Sequence, residues 1–165
     1  MSKTVIESLQ EHDLKVISRL MSAVENDIQT DESLMEEFYS HSLNSIRIGI
    51  TGPPGAGKST LIDKLIELFR NNEKTVGVVS VDPTSPFSGG ALLGDRIRMN
   101  QHALDSGVYL RSMGSRGTTG GLARKSHLMG EILSCTGKEI IIFETIGVGQ
   151  AETEIIKSAD ITVVV

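Results

Sequence analysis

The chain has 165 residues, 39% of them hydrophobic, with a formal net charge of -5, which is enough apolar material for one core and too little for two. That acidity argues against a partner whose phosphates must be neutralised by Lys and Arg, so no nucleic acid is expected. Cys135 is the one cysteine and has no disulfide partner, no stretch approaches the ~18 apolar residues of a membrane span, and the N-terminal residues lack a leader's basic, apolar and cleavage regions. A cytoplasmic protein, or a mitochondrial-matrix one if eukaryotic, with no membrane partner, is therefore expected.

Leu14, Ile17, Met21, Val24 and Ile28 recur at helical spacing with charged residues between them, and Leu34, Met35 and Phe38 follow Asp31, a candidate cap. Residues 1–44 thus read as an N-terminal helical extension, either packed on the protein's own sheet or presenting a face to a partner. From Ser45 the pattern changes. Ile46, Ile48 and Ile50 form a strand, a Gly/Pro-rich stretch follows, and Leu61, Ile62, Leu65, Ile66 and Phe69 mark a long helix. Val76 to Val81 predict a second strand ending at Asp82, before a loop of breakers from Pro83 to Gly90. Next come a helix from Asp95 to Leu104, a strand near Val108 to Leu110, a Gly-rich loop from Gly114 to Gly121 and a helix to about Cys135. Ile140 to Phe143 and Ile161 to Val165 are apolar strands, joined by a short helix around Ile155. Alternating strands and helices of this kind predict an α/β fold with a mostly parallel sheet and right-handed crossovers.

Gly52-Pro53-Pro54-Gly55-Ala56-Gly57-Lys58-Ser59 matches G-x-x-x-x-G-K-[ST] in full, between a strand and a helix. Glycines let the backbone turn its N–H groups toward phosphate oxygens, and the helix adds its positive end. Lys58 is expected at the β- and γ-phosphates, with the Ser59 hydroxyl as a hard oxygen ligand for Mg²⁺. Thr60 is a weaker candidate, as a cap or at the α-phosphate. Residues 45–165 therefore read as a P-loop nucleotide-binding domain.

Ligands of parallel α/β sheets bind beyond the carboxyl ends of the strands, so acidic residues that close strands are candidate cation ligands. Glu144 and Asp82 each close one; Asp95 follows Gly94 and reads equally as a ligand or a helix cap. Glu144-Thr145-Ile146-Gly147 has the spacing of the D-x-x-G switch of GTPases, with Glu for Asp. Gly147 would then offer its N–H to the γ-phosphate, and Gln150 would either orient the attacking water or stand as a solvated amide. Arg96, Arg98, Arg111, Arg116, Arg124 and Lys125 gather in or beside the polar loops, with Arg116 and Lys125 the candidates for charge stabilisation. His102 and His127 lack Cys or His partners at metal-ligand spacing and read as structural or exposed.

The runs Val81-Asp82-Pro83-Thr84-Ser85-Pro86-Phe87-Ser88-Gly89-Gly90-Ala91-Leu92-Leu93-Gly94-Asp95-Arg96, Ser115-Arg116-Gly117 to Ala123-Arg124-Lys125 and Glu144 to Gln150 resemble the MeaB/ArgK group of GTPases, which includes the human methylmalonic aciduria type A protein. The resemblance covers roughly Leu14 to the chain end. It implies a Mg²⁺-dependent GTPase, binding GTP and GDP, that protects, loads and reactivates a cobalamin-dependent acyl-CoA mutase such as methylmalonyl-CoA mutase. It also implies that the loop from Asp82 to Asp95 is the first switch, that the segment from Glu144 is the second, and that the full-length protein is a homodimer. Ile146 and Thr119 depart from the group's usual Val and Leu without touching a proposed ligand. The base-selecting [NT]-K-x-D motif and the dimerising helices are expected beyond Val165, in a longer protein of which this is the N-terminal portion. Two alternatives stand beside this reading: a P-loop kinase, as the arginine/ornithine transport label of some relatives would have it, and a nucleotide-binding fragment without turnover.

Overall fold

A computed structural model describes residues 4–26, 32–82, 102, 104–114, 122–145 and 157–165. Helix α1 (Val5–Gln10) opens with a reciprocal cap: Glu7 N–H donates to Thr4 Oγ1 and Thr4 N–H to the Glu7 carboxylate. The apolar period from Leu14 did not reveal this helix, although Thr4-x-x-Glu7 is its signature. In α2 (Leu14–Glu25), Asp13 caps the first turn, and α3 spans Glu32–His41. Strand β1 (Ile46–Thr51), helix α4 (Lys58–Asn71), strand β2 (Val76–Asp82), strand β3 (Val108–Gly114), helix α5 (Leu122–Cys135), strand β4 (Ile140–Glu144) and strand β5 (Ile161–Val164) complete the described elements. The helices expected near Asp95–Leu104 and Ile155 fall on residues almost wholly outside the described ones.

The five strands form one sheet in the order β3-β2-β4-β1-β5, every neighbouring pair parallel. Side chains alternate between two faces. Ile48, Ile50, Val76, Val78, Ile140 and Ile142 point toward α4, where fully buried Ile62 and Ile66 meet them. Val79, Val81, Met113, Ile141 and Phe143 point the other way, into a cluster shared with α5 and with Ile6, Leu9, Ile17, Met21 and Phe38 of the first three helices. At roughly 1.5–3 kcal/mol per buried aliphatic side chain, these two layers hold the sheet in place. The N-terminal helices therefore share a core with the sheet. Among the described residues β5, like β3, lies at an edge of the sheet and pairs with one strand, β1, and its Ile161 and Val164 are exposed.

Polar ties fix the connections. Arg70 of α4 donates from Nε and Nη2 to both oxygens of Asp105 at 2.8 and 3.0 Å, binding the turn before β3 to the helix. His102 Nε2 lies 2.9 Å from Asp63 of the same helix. On the opposite face, Glu25 of α2 accepts from Arg111 and from Gly114 N–H of β3, while Lys125 Nζ of α5 donates to the Glu25 carbonyl. Lys125, a candidate for charge stabilisation from the sequence, and Arg111, one of the basic residues beside the polar loops, thus have protein partners.

Two outcomes follow from these surroundings. Burial, reinforced by the negative charges of Glu131 and Glu37, pushes the Cys135 thiol up to about 11. Native protein at pH 8 should therefore react with a disulfide reagent about a hundredfold more slowly than unfolded chain, a difference read directly by absorbance. The Arg70 hydrogen bonds hold the Asp105 carboxyl below the usual aspartate range, aided by Gly107 N–H and opposed by partial burial. Its stabilising effect is accordingly present above the unfolded value and lost as pH falls through the lower folded one. Carboxyl NMR titration of Arg70→Ala should show Asp105 moving up toward about 3.9, with a stability deficit at neutral pH that disappears in acid.

Candidate functional site at the carboxyl ends of the central strands

β1 ends at Thr51 and the chain turns through Gly52–Gly57 into α4. Gly52, Gly55 and Gly57 have φ of 142°, 79° and 98°, a region that L side chains enter only under strain. Pro53 to Gly57 are exposed, whereas Lys58 is buried and donates from Nζ to the Gly52 and Pro53 carbonyls at 2.7 and 3.0 Å. Gly57 occupies the cap position of α4 with no side-chain cap bond, and a Cβ built on Gly55 or Gly57 meets nothing within 4 Å among the described residues. Among these residues, the first N–H groups of a 14-residue helix therefore open onto a hollow beside a lysine, an arrangement suited to a polyanion.

Register brings the acidic residue to this hollow. Glu144 lies level with Ile50 of β1 on one side and with Ser80 of β2 on the other. Its carboxylate, 5% exposed, accepts from Ser59 Oγ at 2.7 Å through Oε1 and from Ser80 Oγ at 2.9 Å through Oε2. Thr145, next in the chain, donates its N–H to the Ile50 carbonyl and its hydroxyl to Thr51 Oγ1 at 2.9 Å. The start of the Glu144–Gly147 segment is thus pinned to the strand that feeds the loop.

The donor set fits a hard divalent cation. Ser59 Oγ and Glu144 Oε1, 2.7 Å apart, have nearly the spacing of neighbouring oxygens on an octahedral ion that binds each at about 2.0–2.1 Å. Among the described residues, no group of three or more His, Cys, Asp or Glu side chains could hold a metal. Asp82 closes β2 two positions beyond Ser80, but its side chain, like Asp95, Gly147 and Gln150, lies outside the described residues. Sequence reasoning overlooked Ser80 and the Thr51–Thr145 contact. The available signal was a hydroxyl on the core-facing side of an otherwise valine strand, since a buried polar group requires a partner.

A parallel sheet with this loop between β1 and α4, and a carboxylate from the adjacent strand at the loop's serine, defines a P-loop nucleoside-triphosphatase fold. The chain belongs to the family of the methylmalonyl Co-A mutase-associated GTPase MeaB, whose sequence model matches residues 17–165. A candidate GTPase of Pyrococcus abyssi (strain GE5 / Orsay) is 48% identical over 161 residues, covering 98% of this chain and 50% of its own. GTPase ArgK of Escherichia coli (strain K12) is 33% identical over 159 residues, 94% of this chain and 48% of its own. Among solved structures, an LAO/AO transport system kinase superposes with a TM-score of 0.76 at 25% identity, over 98% of this chain and 48% of that one. The chain spans about half the length of the curated relatives it matches. Among the described residues, no helix is long and apolar enough to cross a membrane.

The loop's glycines differ in what a side chain would meet. Gly57→Ala faces open space among the described residues and should lose only the left-handed backbone penalty, about 1–2 kcal/mol. Gly52→Ala also drives its Cβ into the Val165 carbonyl oxygen and should lose clearly more. Urea denaturation of the two variants gives the order.

Proposed function

We propose that this chain is the nucleotide-binding portion of a Mg²⁺-dependent GTPase that works on a cobalamin-dependent acyl-CoA mutase. The observation that supports it most is the conjunction at the head of α4: an uncapped helix terminus, a glycine loop in left-handed conformations, a buried lysine, and a serine bonded to a carboxylate. In this reading the loop from Gly52 through Pro53 and Pro54 to Thr60 wraps the phosphates, the backbone N–H groups of its non-proline residues and the Lys58 ammonium bind them, and Ser59 and Glu144, joined by Asp82 and Asp95, hold the cation. Gly147 offers its N–H to the γ-phosphate, and Gln150 orients the attacking water. Bound Mg²⁺ supplies neutralisation of the charge that builds on the phosphate oxygens. Because phosphoryl transfer needs placement and charge stabilisation more than covalent help, these groups suffice in kind for hydrolysis.

Family membership supports a preference for guanine, and the family's name, methylmalonyl Co-A mutase-associated, supports that mutase as the partner. Within that role the nucleotide state gates protection and loading of the mutase, the full-length protein acts as a homodimer, and it works in the cytoplasm or, in a eukaryote, the mitochondrial matrix.

Fluorescent GTP and ATP analogues, titrated with Mg²⁺ and followed by phosphate release, test this. Expected are tighter GTP than ATP binding, turnover without any acceptor, and at least about a tenfold loss of affinity in Lys58→Ala from removal of a charge-assisted contact. ATP preference would overturn the guanine assignment. Binding without phosphate release would overturn hydrolysis, and normal affinity in Lys58→Ala would show that the loop does not grip a triphosphate.

A further inference from the structure

We propose that Ser80 is a positioning residue for the cation site, holding the Glu144 carboxylate in the orientation that presents one oxygen to Ser59. The inference rests on the nucleotide-binding reading and extends it to a residue that no loop motif contains.

Ser80 stands where the strand pattern calls for an apolar side chain. In β2 the residues facing α4 are Val76, Val78 and then Ser80; the first two are at most 1% exposed and Ser80 is 6% exposed. A hydroxyl buried in such a row is unfavourable unless hydrogen-bonded. Its bond goes to Glu144 Oε2 at 2.9 Å, across the one register step that places the two residues side by side in β2 and β4. The other oxygen, Oε1, is thereby turned to Ser59 at the head of α4.

This contact also gives a physical reason for glutamate where the switch spacing calls for aspartate. Glu144 reaches a hydroxyl in β2 and a hydroxyl in α4 with one carboxylate. An aspartate would retract the group by about 1.5 Å, out of reach of at least one of them. The Ser80 bond restricts the rotation that the extra methylene would otherwise allow. Groups that orient a ligand from behind commonly change metal affinity by about ten- to a hundredfold when removed.

The test is Mn²⁺ binding, followed by the EPR signal of the free ion, to protein saturated with a non-hydrolysable GTP analogue. Ser80→Ala should weaken Mn²⁺ binding by about tenfold or more and leave metal-free nucleotide affinity near wild type. Ser80→Thr, which keeps the hydroxyl, should restore most of the loss. Should Ser80→Ala fail to fold, Ser80→Cys, close in volume but a poor donor, serves in its place and should show the same weakening. If Ser80→Ala or Ser80→Cys binds Mn²⁺ as wild type does, or if Ser80→Thr is as weak as Ser80→Ala, the positioning role is wrong while the nucleotide reading stands. If wild type binds the analogue no better than Lys58→Ala, the nucleotide reading fails and this inference falls with it.

Discussion

The Glu144 carboxylate is the tie on which the site depends. It is almost fully buried, and it joins three elements by accepting from Ser59 at the start of α4 and from Ser80 in β2 while standing at the end of β4. A carboxylate withdrawn from water is strongly unfavourable unless it is hydrogen-bonded or paired. The structure meets that requirement with hydroxyls supplied from both sides. Those donors exist only because β1, β2 and β4 run parallel and end at one edge, with Ile50, Glu144 and Ser80 in a single row. A one-residue slip of β4 would turn Glu144 toward the opposite, apolar face and leave both hydroxyls without it.

How much of this was legible beforehand depends on whether the information is local. The phosphate loop lies in eight consecutive residues between an alternating strand and a periodic helix, so its position and context could be read without any knowledge of contacts. The strands at Ile46 and Ile140 were equally plain, because a continuous or alternating apolar run bounded by breakers has few other folds. What escaped reading is non-local or too short. Ser80 meets Glu144 across 64 positions, and no periodicity connects them. The six residues of α1 are too few for a hydrophobic period, and only the Thr4–Glu7 capping pair marks them. β5 was read as a strand and is one, but an apolar run does not say which neighbours cover it, and Ile161 and Val164 are exposed.

The N-terminal helices show how a segment that looks separable becomes part of the domain. Their apolar stripes are buried against α5 and against the face of the sheet lined by Val79, Val81 and Phe143. Polar contacts then carry the connection to the functional edge. Glu25, the last residue of α2, accepts from Arg111 at 2.6 Å and from the N–H of Gly114 at the carboxyl end of β3, while its carbonyl takes Lys125. Such half-buried, charge-assisted bonds are stronger than surface ion pairs because less solvent screens them. The end of α2 and the end of β3 are therefore fixed relative to each other at the same edge that carries the phosphate loop.

The two faces of the sheet consequently divide the work. Toward α4, the rows of Val76, Val78, Ile140 and Ile142 give way at the carboxyl end to Ser80 and Glu144, so this face changes from core to polar site within one residue pair. The opposite face is largely apolar, through Val81, Met113 and Phe143 under the first three helices and α5, and its polar groups near the edge are paired within the protein, Arg111 with Glu25 and Thr145 with Thr51. Alternation along each strand allows the separation, since neighbouring residues such as Phe143 and Glu144 serve different layers. Packing on the helical face can then hold the strands rigidly while the α4 face keeps the Ser59 and Ser80 hydroxyls within hydrogen-bond distance of the Glu144 carboxylate. Preorganisation of the oxygen donors is in this sense a property of the valine, isoleucine and phenylalanine side chains that never approach them.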